Sequence, residues 1–127
     1  MGKRILVIED DSDSAEMIKS VISGKPFELF LVNDRDAALN DMLRHSPDVI
    51  LLDLGTEGIP IQSLIDAMNE HCPHTRMILV STAAGVATIA QALGIRFFLQ
   101  RPFDPQRLLA LIDDALKSGE HAAVVAE

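Results

Sequence analysis

The sequence has no tryptophan and no tyrosine. Stacking platforms for single-stranded nucleic acid are built from such rings, so that class of function is disfavoured at the outset. It has one cysteine, Cys72, which excludes an internal disulfide and fits a reducing cytoplasm. No apolar run approaches the ~18 residues that suggest a membrane span. The opening MGKRILVIEDD turns acidic after a short apolar stretch, too short for the core of a secretory signal. Repeats, low-complexity tracts and long linkers are also missing. Basic residues are scarce: 11 Lys and Arg stand against 19 Asp and Glu, a formal charge of −8. Such a chain repels polyanions, so direct nucleic-acid contact is not expected, and without a long apolar run neither is a membrane partner.

What remains is a chain of 127 residues, 48% of them hydrophobic. That length suits one domain, and that apolar content suits a globular core. Two kinds of segment alternate along it. Arg4 to Ile8 is a short β-branched run ending in acid, which predicts a buried strand. A helix is expected from Ser14 to Ser23, with Asp13 and Glu16 as a capping box and Gly24 as the stop. Glu28 to Val32 predicts the second strand, and Asp34 to Arg44 the second helix. Val49 to Leu52 has no polar break, as expected of a strand covered on both faces. Pro60 opens a helix carrying Ile61, Leu64, Ile65 and Met68 at helical spacing.

Met77 to Ser81 predicts the fourth strand. A short helix through Val86, Ile89, Ala90 and Leu93 follows, stopped by Gly94. Arg96 to Leu99 predicts the fifth strand, and Asp104 with Pro105 starts a last helix ending near Gly119. The domain is expected over residues 1–119, with a short disordered tail over 120–127. The result is α/β: a single doubly wound (βα)5 domain with a flavodoxin-like, five-stranded parallel sheet of order 2-1-3-4-5.

Such sheets place their chemistry at the carboxyl ends of the strands. There the first strand delivers Glu9 and Asp10, with Asp11 following, and the third delivers Asp53. In the expected order those strands are neighbours. Carboxylates so close cannot all stay ionised without compensation, so a proton or a cation is required. An open, oxygen-only site favours Mg²⁺ over zinc. Ser81, Thr82 and Arg101 reach the same rim from the fourth and fifth strands. A metal, a hydroxyl and a fixed positive charge around one Asp suit a phosphoryl group, and an Asp carboxylate can form an aspartyl phosphate.

The segments ILVIEDD, HSPDVILLDL, ILVSTA and FFLQRPFD, in that order and spacing, resemble the landmarks of response regulator receiver domains. The resemblance spans essentially residues 3 to 117. It implies that Asp53 is the phosphoacceptor. It implies a Mg²⁺ cofactor, with Asp10 as direct ligand, Glu9 holding a metal-bound water, Asp53 beside them and Gly55 offering its backbone carbonyl. Ser81 matches the switch hydroxyl, with Thr82 one residue away as the alternative. Phe98 matches the switch aromatic, Arg101 stands where the family has lysine, and a cis bond before Pro102 is implied. The implied partners are a histidine kinase or phosphotransfer protein and a downstream protein. A homodimer through the fourth helix, fifth strand and fifth helix is a further expectation. The expected function is a stand-alone cytoplasmic signalling domain, not an enzyme, since 127 residues leave no room for a DNA-binding module.

Two departures motivate an alternative. Arg101 is longer and more rigid than lysine, and Glu57 stands where the family usually has proline. A receiver-like interaction module with impaired phosphorylation control is therefore the second reading. A phosphatase reading of Asp11-Ser12-Asp13-Ser14 is weaker, because Glu9 and Asp10 come first at the strand end. A flavin protein would need a phosphate-binding loop where these acids stand.

Simpler roles compete at single positions. The acidic turn could serve only a helix N-terminus, Ser81 could cap the next helix, Phe98 could be a core or interface aromatic, and Arg101 could pair with a nearby acid. His71, Cys72 and His74 hint at a soft metal site, but a surface loop is the better expectation. Leu108, Leu109, Leu111 and Ile112 exceed one narrow stripe, which suits core alone or core plus a partner surface.

Overall fold

The computed structural model describes the backbone of residues 2–56 and 58–125, and the side chains of these up to Ser118 apart from Arg35. Glu57, one of the two departures, lies outside the described residues. Strands β1 (Lys3–Ile8), β2 (Phe27–Val32), β3 (Val49–Asp53), β4 (Arg76–Ser81) and β5 (Phe97–Gln100) alternate with helices α1 (Ser12–Ile22), α2 (Arg35–His45), α3 (Ile61–His71), α4 (Val86–Ala92) and α5 (Pro105–Val125). The strands form one parallel sheet in the order β2-β1-β3-β4-β5, as expected.

Strand periodicity divides the core. Leu6, Ile8, Ile50, Leu52 and Leu79 point to one face, where Ala38 and Met42 of α2, Leu64 and Met68 of α3 and Ala90 of α4 cover them. Ile5, Val7, Val49, Leu51, Ile78 and Val80 point to the other, against Ile18 and Ile22 of α1 and Leu108 and Ile112 of α5. This two-sided cover is why Val49 to Leu52 runs without a polar residue. Truncating a fully buried member such as Leu52 to Ala would cost about 2–5 kcal/mol.

Register sets the functional rim. Ile8 lies beside Leu52 in the β1–β3 ladder, so Glu9 and Asp53 are the next positions on adjacent strands. Asp53 in turn lies beside Val80, one residue before Ser81.

Several local expectations change. Helix α1 starts at Ser12, and its N-cap is Asp11, whose carboxylate accepts from the Ser14 N–H at 2.9 Å. Asp13 lies within the first turn instead of capping it. The strand ends early enough for the nearer acid to reach the free N–H groups first. Asp104 caps α5 as expected, accepting from the Gln106 N–H at 2.9 Å. Helix α4 is short, and Gly94 at φ 74° turns the chain after it. Helix α5 continues to Val125, past the stop expected near Gly119. A glycine inside a helix costs only about 1 kcal/mol relative to alanine, and the residues after it include two alanines, the strongest helix formers.

Cys72 is the clearest correction. It caps the C-terminus of α3, is 1% exposed and packs in the core beside Met68 and Met77, so it is not a surface-loop thiol. Among the described residues, no three His, Cys, Asp or Glu side chains are placed to hold a metal ion together.

Candidate functional site

Asp53 ends β3 and is half-buried. The chain turns immediately after it, and the Gly55 N–H donates to Asp53 Oδ1 at 3.0 Å. A Cβ at Gly55 would meet that same oxygen at 3.4 Å, an ordinary van der Waals distance. The Thr56 N–H then donates to the Asp53 carbonyl at 3.0 Å, which tightens the turn. Among the described residues the buried Thr56 hydroxyl has no hydrogen-bond partner, a feature that no sequence signal marks.

Glu9 is the buried acid of the rim, and Asp10 beside it is exposed. Glu9 Oε1 accepts from Arg101 Nη2 at 2.7 Å, and Oε2 lies 3.3 Å from the donating Asp11 N–H. Its carboxyl also interacts with the neighbouring Asp53 side chain. Burial, and then the adjacent Asp53 carboxyl, push the Glu9 carboxyl from 4.5 up to about 8, while Asp11 N–H and Arg101 pull the other way. The sequence placed these groups at one rim. It left open which acid would meet Arg101.

Arg101 is held on several sides. Its backbone N–H donates to the Ser81 carbonyl at 2.8 Å, tying the end of β5 to the end of β4. Its guanidinium lies 5.6 Å from the centre of the Phe103 ring. The peptide bond to Pro102 is cis, as expected. The side chains of the Glu9–Arg101 pair are only 1% and 14% exposed. The pairing of Arg101 with a nearby acid is therefore present and buried, where solvent screens little.

Ser81 is buried at the end of β4, and its hydroxyl oxygen accepts from the Ala83 N–H at 3.0 Å. That bond shapes the loop before α4; the helix itself begins later, after Gly85. Thr82 is exposed and lines an open, largely apolar cavity of about 510 Å³ with Met17, Arg101, Pro102 and Phe103. Phe98 is 39% exposed, whereas Phe97 and Leu99 on either side are buried, as strand alternation requires. Ile89 of α4 is also exposed, and Leu109 of α5 is half-buried.

The model of the response regulator receiver domain matches residues 5–113, most of the chain. The chain belongs to the response regulator receiver family. This receiver is 30% identical over 127 aligned residues to the DNA-binding response regulator MtrA of Mycolicibacterium smegmatis, covering 94% of this chain and 53% of MtrA. It is 23% identical to the nitrogen assimilation regulatory protein NtrX of Azorhizobium caulinodans, covering 93% of this chain and 27% of NtrX. It thus spans about half the length of the MtrA relatives it matches. Among solved structures, the signal receiver domain of a putative Luxo repressor protein from Vibrio parahaemolyticus superposes with a TM-score of 0.84 at 24% identity, covering 100% of this chain and 99% of that one. The receiver domain of an HD domain-containing protein from Pseudomonas fluorescens gives 0.85 at 20% identity, covering 98% and 93%. No helix among the described residues is long and apolar enough to cross a membrane.

Receiver domains generally bind Mg²⁺ for phosphorylation. The donors here are of the right kind, since Glu9, Asp10, Asp53 and the Gly55 carbonyl offer oxygen alone. Their arrangement does not match. No three acids among the described residues gather around a common point, and both Glu9 oxygens already accept hydrogen bonds, one from a guanidinium.

Proposed function

We propose that this receiver accepts a phosphoryl group on Asp53 from a histidine kinase or phosphotransfer protein of the cytoplasm. The observation that carries this reading is the position of Asp53. It ends a central strand, one residue across the rim from Glu9 and within the same cluster as Arg101. In the transfer, an Asp53 carboxylate oxygen attacks phosphorus and the P–N bond of a phosphohistidine breaks. An acyl phosphate forms, and the leaving imidazole keeps the electron pair and takes a proton. Arg101 is a permanent cation near the acceptor, suited to the charge that develops on the equatorial oxygens. Asp10 and Glu9 frame the approach, and Ser81 stands at the neighbouring strand end.

The added charge biases two packings of the loop after β4 and of β5, and the face formed by α4, β5 and α5 changes its affinity for a downstream protein or a second copy. Exposed Phe98 and Ile89 and half-buried Leu109 supply the apolar part of that face.

One observation favours the second reading, an interaction module with weak phosphorylation control: Arg101 is committed to Glu9. Incubation with acetyl phosphate and Mg²⁺ followed by mass spectrometry separates the two. Addition of one phosphoryl group to the wild type, mapped to Asp53 and lost in Asp53→Asn, is the expected result. A folded wild-type protein that gains none leaves the second reading standing.

A further inference from the structure

The amino edge of the sheet, opposite Asp53, holds a second set of polar groups. Arg76 opens β4 and Phe97 opens β5, and beside them, between α3 and α5, lies a cavity of about 330 Å³. Met68, Met77 and Phe97 give it apolar walls, and Arg76, Arg96 and Ser118 line it as well. An adjoining hollow of about 260 Å³ shares Arg96, Phe97 and Ser118 and adds Lys117 and Asp114. Among these lining residues three cations stand against one carboxylate, in a chain of formal charge −8. Lys117 is engaged by Asp113 at 3.1 Å, which leaves the two arginines as the open positive charge.

Arg76 is half-buried, yet its partners are all neutral. Nη1 donates to the Pro73 carbonyl at 2.9 Å and to the Thr75 carbonyl at 3.0 Å, which uses both of its hydrogens. Nε donates to the Ser118 hydroxyl at 3.4 Å, a long bond. Among the described residues Nη2 has no acceptor, and the guanidinium has no carboxylate partner. Nε and Nη2 form one edge of the planar fork, the geometry that holds an oxyanion through two parallel bonds. Arg96 is exposed, with its guanidinium 5.4 Å from the centre of the Phe97 ring, and it too lacks a carboxylate partner among the described residues. A charge drawn out of water is ordinarily paired, so Arg76 is a cation whose counter-ion is missing from the chain.

We propose that this cavity binds a small organic phosphate monoester, with Arg76 gripping the phosphate, Arg96 beside it and the organic part against Met68 and Phe97. Two guanidiniums without acids suit a group carrying about two negative charges better than a single carboxylate. Apolar walls around a few polar groups suit a ligand with an organic body. The cavity lies the length of β4 from the acid rim, roughly 17 Å at the rise of a strand. It therefore stands independently of the acceptor reading.

The test is titration of the full chain with phenyl phosphate in the absence of divalent ions, followed in ¹H–¹⁵N spectra. Saturable shifts are expected at the amides of Thr75, Met77, Gly94 and Phe97. Arg76→Gln should weaken binding about tenfold and Arg96→Gln by less. Arg107→Gln, which removes an exposed arginine in the first turn of α5, should leave it unchanged. An equal loss in Arg107→Gln would mean general charge attraction and overturns the site. Benzoate keeps the ring with a single charge and should bind several-fold more weakly. Benzoate held as tightly overturns the choice of a phosphate, and inorganic phosphate held more tightly than phenyl phosphate overturns the organic body. Wild-type shifts that fail to saturate, or that are confined to Leu54, Thr56 and the other neighbours of Asp53, overturn the proposal without recourse to any variant.

Discussion

Glu9 and Asp53 face each other across the seam between β1 and β3, close enough for each carboxyl to act on the other. The contact follows from register, because Ile8 and Leu52 are neighbours and the next residue on each strand is an acid. It makes one of the acids a preferred proton carrier. Glu9, the more buried, is that carrier.

The pH dependence of stability follows from this. The Glu9 carboxyl lies at about 8 in the folded chain against an ordinary 4.5. A raised carboxyl means that the folded state holds its proton more tightly than the unfolded state. The stabilisation is complete below about 4.5 and is lost as pH climbs through about 8. Urea unfolding across that window should show stability falling by no more than a few kcal/mol in the wild type, with a flatter profile in Glu9→Gln. A wild-type profile that rises with pH over the same window contradicts the assignment.

Adjacent phenylalanines on β5 should separate packing from recognition. Phe97 is 7% exposed in the core and Phe98 is 39% exposed. Phe97→Ala is expected to cost about 3–5 kcal/mol in denaturant unfolding. Phe98→Ala should cost roughly 0.5 kcal/mol or less while weakening capture of a downstream partner or self-association, measured by sedimentation or pull-down of a defined partner.

Asp11 and Asp13 differ by role, although both are acids at the start of α1. Asp11 accepts from the Ser14 backbone N–H, and that bond holds its carboxyl below the ordinary 3.8. Its contribution is present above that value and is lost as pH falls below it. Asp11→Ala should lower the melting temperature near neutral pH, whereas Asp13→Ala should leave it almost unchanged. Equal effects would return the cap to the position expected from the sequence.

Much of the architecture was legible because it depends on local pattern. Apolar runs of strand length, helical spacings, and the prolines and glycines between them specify the (βα)5 order. Parallel connections then restrict the sheet to few arrangements. The same logic carried Asp53, Glu9, Asp10, Ser81 and Arg101 to one rim, since each ends a strand or follows one. The cap at Asp11 was missed because two acids near a helix start look alike until the strand end is placed. Cys72 was misread because its neighbours His71 and His74 are polar. Its burial depends on how α3 lies against β4.

The sequence alone thus determined which side chains arrive at the carboxyl edge of the sheet, because strand direction and alternation are encoded residue by residue. Only the tertiary structure decided how they pair. Glu9 and Arg101 are 92 residues apart and meet at 2.7 Å because β1, β3, β4 and β5 stack in one register. Partner choice among several acids of like charge depends on distances of an ångström or two and on exclusion of water, which no spacing along a chain encodes.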